Sequence, residues 1–171
     1  MNIAYTLAPH RGDTDLFLYG QAHRLIAAGY RVRGTVQCNT DRSDGGPCDM
    51  DVRVLPDGPT FRISQSLGQG SRGCRLDPAA LESAVGLVEA SMATGYDILI
   101  VNKFGKHEAE GGGFRSLIGV AACQDMPVLV GVNALNEAAF HDFTGGLAAK
   151  LPLAYAAVDD WLARNRLMEN A

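Results

Sequence analysis

Apolar and polar positions along the chain fall into blocks whose period changes from two to about three and a half. Ile3 to Leu7 is a short apolar run closed by Pro9 and Gly12, which predicts a strand and a loop. Leu16, Leu18, Ala22, Leu25 and Ile26 then recur at three- and four-residue spacings up to Gly29. That spacing predicts a helix stopped by a C-terminal glycine. Asp13 or Thr14 offers the oxygen that caps such a helix. Tyr30 to Gln37, with Val32, Gly34 and Val36 alternating, predicts a second strand. Asn39 to Asp51 carries Asp44-Gly45-Gly46-Pro47 and predicts a turn-rich excursion. Val52 to Leu55 and Phe61 to Ser64 predict a hairpin around Pro56-Asp57-Gly58-Pro59.

Asp77-Pro78 is a strong helix start, because aspartate accepts orphan N–H groups and proline tolerates the first helical position. Leu81, Val85, Val88 and Met92 continue it as one stripe, and Gly95 ends it. Asp97 to Asn102 is an apolar core with polar ends, the pattern of a parallel strand covered on both faces. A Lys/Gly-rich loop follows, then a helical segment through Phe114, Leu117, Ile118 and Ala121, a second buried strand Val128 to Val132, and a helical tail around Tyr155 to Leu167. Strands alternating with helices predict one α/β domain over residues 1–171: three layers around a mainly parallel central sheet, with right-handed crossovers. Ligands in such sheets bind beyond the carboxyl ends of the strands. The tail carries Trp161 and Leu162 close to Leu167 and Met168. It docks either on its own sheet or on a second copy, so a homo-oligomer stays open.

Composition narrows the function. With 171 residues, 47% of them hydrophobic and 20% charged, the chain is long enough to bury roughly 70% of its unfolded surface. A net charge of −4 and a pI near 5.5 exclude the broad basic field that nucleic-acid binding needs. No run of about 18 apolar residues and no basic flank before an apolar stretch occurs. A cytoplasmic protein with neither membrane nor nucleic acid as partner is expected. The 20 glycines cluster instead of repeating, which directs attention to loops. Cys38, Cys48, Cys74 and Cys123 form no C-x-x-C pair, so neither a zinc knuckle nor a dithiol is expected. Four free thiols are the default, with Cys123 a small buried hydrophobe. Cys74 lies among cations that lower a thiol pKa, but nothing assigns it a histidine base.

Gly68-Gln69-Gly70-Ser71-Arg72-Gly73 spells G-x-G-x-x-G. In a dinucleotide site that motif opens a helix, whereas here the helix starts at Asp77-Pro78 and Asp97 opens a strand where a ribose-binding acid should end one. Ser71, Arg72 and Arg75 are instead candidate donors to an anion, against the plainer reading of a solvated loop. The first strand–loop–helix unit stands where a phosphate-binding loop belongs, yet Ala8 to Asp15 has one glycine, no lysine and two carboxylates. A working Walker A loop is absent. His10 and Arg11 are left as surface cations. Val101 to Arg115 is the most informative stretch. It follows a buried strand, holds Lys103, Lys106 and Arg115, and places Gly111, Gly112 and Gly113 before a helix, where backbone N–H groups can cradle an anion. Glu108 and Glu110 orient the lysines, accept a proton or only solvate the loop.

At this stretch the chain resembles a bacterial domain-of-unknown-function family related to P-loop nucleoside triphosphatases and often encoded beside molybdate-transport genes. The resemblance rests on Gly34 to Gln37, on Ile63 to Gln65 and Gly73 to Pro78, on Val101 to Lys106 with Glu108-Ala109 and Gly111 to Arg115, and on Pro127 to Leu129. It implies an NTPase-like fold and a link to molybdenum metabolism. It also implies that the strand ending at Val101 is the one that presents a magnesium-binding acid in relatives, where this chain has Asn102-Lys103. The expected function is non-catalytic binding of a tetrahedral oxyanion, molybdate or tungstate, by Ser71, Arg72, Arg75, Lys103, Lys106, Arg115 and the Gly111 to Gly113 amides. The alternative is a nucleotide-binding protein or weak phosphohydrolase, in which Glu108 or Glu110 activates water with magnesium.

Overall fold

The computed structural model describes residues 1–10, 12–41, 48–66 and 75–169, with side chains described as far as residue 165. The strands are β1 (Ile3–Thr6), β2 (Val32–Thr40), β3 (Asp49–Val54), β4 (Thr60–Arg62), β5 (Ile98–Phe104), β6 (Val128–Val132) and β7 (Ala149–Lys150). The helices are α1 (Asp13–Ala27), α2 (Pro78–Met92), α3 (Lys106–Ala109), α4 (Arg115–Cys123), α5 (Glu137–Thr144) and α6 (Tyr155–Glu169). The strands form one sheet in the order β4-β3-β2-β5-β6-β1-β7. Pairings among β2, β5, β6, β1 and β7 are parallel, and β3 and β4 add an antiparallel edge.

Strand alternation builds the layers. Ile3, Tyr5, Leu99, Val101, Val128 and Val130 face α2, α4 and α5, whereas Ala4, Ile98, Ile100 and Leu129 face α1 and α6. Successive strand side chains point to opposite faces, so runs apolar at every position must be covered on both sides. This is the expected three-layer α/β arrangement. Val158, Trp161 and Leu162 of α6 pack with Phe17, Leu18 and Leu25 of α1, so the tail docks on its own sheet. No helix of the described residues is long and apolar enough to cross a membrane.

Several local expectations are corrected. Neither Asp13 nor Thr14 caps α1; the cap is Gly12 in the left-handed region at φ 93°. The Thr14 hydroxyl instead accepts the Ala8 N–H at 3.1 Å and closes the loop onto the helix. Cys123 is exposed. Helix α4 buries Leu117, Ile118 and Ala121, and a residue two places beyond Ala121 is turned about 200° away at 3.6 residues per turn. The excursion from Asn39 to Asp51 is in part strand: Thr40 pairs with Asp49 and Cys38 with Asp51, and Arg62 bridges Asp49 and Asp51 at 2.9 and 3.0 Å. Cross-strand pairing and charge hold this edge, which hydrophobic periodicity cannot register.

A candidate anion site at the carboxyl ends of the strands

Three strand ends and the start of α1 meet in a buried polar cluster. Gly131 on β6 makes room for it, because a Cβ there would collide with the Asn102 carbonyl oxygen and approach Leu18 and Thr14. The β5–β6 register shifts between Val101 and Phe104, at Asn102 and Lys103. Asp15, in the first turn of α1, is 3% exposed and Asn102 is 2% exposed. Asp15 accepts the Asn102 side-chain amide at 2.9 Å, the Asn39 amide at 3.1 Å and the Lys103 ammonium at 3.1 Å. Gln37 donates to Asn39 at 2.7 Å and accepts from Asn102 at 3.5 Å. The loop and first turn of α1, Ala8 to Asp15, carry no lysine. Lys103 reaches this place from β5, and the Asp15 carboxylate holds it.

On the α2 side of this cluster lies a cavity of about 640 Å³. Its apolar wall includes Met50, Val52, Ile63, Leu76, Leu81 and Phe114. Arg75, Lys103, Lys106 and His107 bring cationic or ionisable nitrogen to its border. Arg75 donates to the Cys48 carbonyl at 3.1 Å and lies 3.8 Å from Asp49. Lys106 is 3.5 Å from Glu110, both exposed, and His107 is 2.8 Å from Glu82. Arg75 and Lys106, from stretches about thirty residues apart, therefore border one space.

The glycine cradle is corrected. Gly111 and Gly112 donate to the Glu108 and His107 carbonyls at 3.1 and 3.0 Å, and Gly113 donates to the Glu82 carboxylate at 2.7 Å. With φ of 105° and 57° at Gly111 and Gly113, the loop folds back on α3, and its amides serve the protein itself. Arg115 is also elsewhere: its guanidinium donates to the Glu108 carbonyl at 3.2 Å and lies 4.3 Å over the Phe143 ring, against α5. Glu108 is 3% exposed. One carboxylate oxygen accepts Gly105 N–H at 2.9 Å and the other Phe114 N–H at 3.4 Å. An internal carboxylate thus meets the start of α4, where the sequence predicts an outside anion. Burial raises its pKa above the usual carboxylate value, against the lowering effect of those amides. Each oxygen thus already accepts one backbone N–H. Glu110 is exposed and paired with Lys106. Ser71, Arg72 and Cys74 lie outside the described residues.

Sequence reasoning missed Asp15, Gln37 and Asn39. The only signal was a helix-start carboxylate, and its lysine partner is 88 residues away. Among the described residues no group of three His, Cys, Asp or Glu side chains is placed to hold a metal. Magnesium with a nucleotide does not fit the α1 mouth, since a lysine ammonium already holds the Asp15 carboxylate and an amide stands at Asn102.

Residues 3–161 match the family model described as "Protein of unknown function (DUF2478)". A "Molybdenum import ATP-binding protein ModC 2" from Bradyrhizobium diazoefficiens is 33% identical over 159 residues. The match takes in 93% of this chain but 18% of that protein, so the chain spans less than a fifth of that relative's length. THEP1 from the hyperthermophile Aquifex aeolicus superposes with a TM-score of 0.66 at 15% identity over 96% of each chain. A human cancer-related nucleoside triphosphatase gives 0.62 at 14% identity, over 89% of this chain and 88% of its own. At such identities the likeness shows the fold, a P-loop NTPase-like one, and nothing finer.

Proposed function

This chain belongs to the DUF2478 family of proteins of unknown function, and from that premise we propose that it is a non-catalytic, cytoplasmic binding protein for an oxyanion, with molybdate or tungstate as the first candidates. The observation that carries this reading is the convergence of Arg75, Lys103 and Lys106 on one cavity beyond the carboxyl ends of β2 and β5. Hydrogen bonds to charged groups contribute roughly 1.5–3 kcal/mol each, so two or three such donors suffice to hold a dianion. A non-catalytic role is supported by the lack of a lysine from Ala8 to Asp15 and by Asn102-Lys103 standing where the resemblance places a magnesium-binding acid. Molybdenum is supported by the name of the relative at 33% identity.

Titration calorimetry and thermal melting with molybdate, tungstate, sulfate and phosphate test the reading. At least one anion binds, and Arg75→Ala and Lys106→Ala each weaken it about tenfold, as expected for loss of one charge-assisted bond. Absence of heat and of any melting shift with all four anions removes the proposal. Magnesium-dependent phosphate release from ATP, lost in Glu108→Gln or Glu110→Gln, would put nucleotide hydrolysis in place of this reading.

A further inference from the structure

The cavity is much larger than a tetrahedral oxyanion requires. Its volume is about 640 Å³, within the roughly 300–1,000 Å³ of pockets that enclose whole organic ligands. A water's share of the liquid is about 30 Å³, and a five-atom oxyanion fills only a small part of such a space. The lining is also of two chemistries. Arg75, Lys103, Lys106 and His107 border it, and so do the apolar side chains of Met50 and Val52 of β3, Ile63, Leu76, Leu81 of α2 and Phe114. Val52, Ile63, Leu81 and Phe114 belong to the core cluster on this side of the sheet, so the wall is built from rigid, packed positions. Two carboxylates also border the cavity, and neither repels an anion as a free charge: Glu108 accepts loop amides, and Glu110 pairs with Lys106. An inorganic ion at the cations would leave that wall facing water, and apolar surface against water is unfavourable by about 25 cal/mol per Å².

We propose that the cavity takes, besides an inorganic oxyanion, an organic one: a phosphate- or carboxylate-type head held by Arg75 and Lys106, on a ring-sized apolar body lodged between β3 and the first turns of α2. The inference rests on the anion-site reading above and names the ligand class for that same cavity. Arg75 and Lys106 give the head its direction. Met50 and Leu81 give the body its place.

A matched pair of probes tests it with the intact chain: inorganic phosphate and phenyl phosphate, which share the head and differ by the ring. Phenyl phosphate binds at least tenfold more tightly. Its addition shifts the methyl resonances of Val52, Ile63 and Leu81, and inorganic phosphate leaves them in place. Met50→Trp, which fills the apolar part, brings phenyl phosphate down to the affinity of phosphate. Arg75→Ala weakens both probes in parallel. If phenyl phosphate binds no more tightly than phosphate, or leaves those methyl groups unmoved, the organic ligand is excluded while the anion site stands. If neither probe binds and the four inorganic anions also fail, the site reading falls and this inference with it.

Discussion

Single residues at the strand ends carry more of the architecture than their number suggests. Asp15 is the common acceptor for Asn39, Asn102 and Lys103. Its removal strands the amide of Asn102, which is 2% exposed, and frees the Asn39 amide and the Lys103 ammonium, which reach solvent. Leaving a buried donor unsatisfied costs about 1–3 kcal/mol, so Asp15→Ala lowers the unfolding free energy by about that amount or more, read from urea midpoints at constant slope. Lys103→Met costs less, because Asp15 keeps both amides and the lysine side chain is 37% exposed. Equal losses in the two variants would contradict this account of the cluster. Gly131 acts by what it lacks. A methyl there meets the Asn102 backbone and the Thr14 and Leu18 side chains, and overpacking of this kind costs typically 1–3 kcal/mol. Gly131→Ala therefore destabilises, and because it lifts the start of α1 it also alters Lys103 amide and side-chain shifts in an NMR spectrum. A neutral Gly131→Ala with unchanged spectra would show that the helix start does not rest on that glycine.

Between elements, the loop from α3 to α4 is held by two carboxylates whose pKa values move in opposite directions. Glu82 of α2 accepts Gly113 N–H first and His107 second, which lowers its pKa. Its contribution to stability is present above the ordinary carboxylate value and is lost as pH falls through the lowered folded value. For Glu108 burial dominates and raises the pKa. The folded state then holds that proton more tightly than the unfolded chain does, so Glu108 loses stability as pH rises from the ordinary carboxylate value, 4.5, through its raised folded value. Urea unfolding on both sides of the ordinary carboxylate value separates the two groups: relative to Glu108→Gln, the wild-type protein declines as pH rises above it, and relative to Glu82→Gln, it gains as pH rises towards it from below. A rise relative to Glu108→Gln would mean that the amides of Gly105 and Phe114 outweigh burial. The same elements show what patterning conveys. The cap at Asp77, whose carboxylate accepts Ala80 N–H at 3.1 Å, and the stripe of α2 were plain in the sequence. Helix α5 and strand β7 were not, because α5 buries only Phe140 and Thr144, β7 is two exposed residues, and Leu135 before α5 and Leu147 between the two are exposed apolar residues that blur any period.

At the scale of the molecule, the order β4-β3-β2-β5-β6-β1-β7 brings the ends of β2, β5 and β6 to one mouth, and the function proposed for this chain depends on that meeting. The sequence alone determined the three layers and the parallel sheet. Alternation, caps and continuous apolar runs are local, and each follows from whether a side chain must leave water. It also established that the Walker lysine is missing, since that is a matter of residue type at a spacing. Which polar groups face one another only the tertiary structure decided. Glycines 111 to 113 looked open, and their amides proved to be taken by Glu108, His107 and Glu82. Lys103 looked free, and Asp15 holds it from 88 residues away. A hydrogen bond or an ion pair depends on distance and direction between groups whose separation along the chain carries no information until the sheet has formed, whereas burial is already written in the period of the apolar residues.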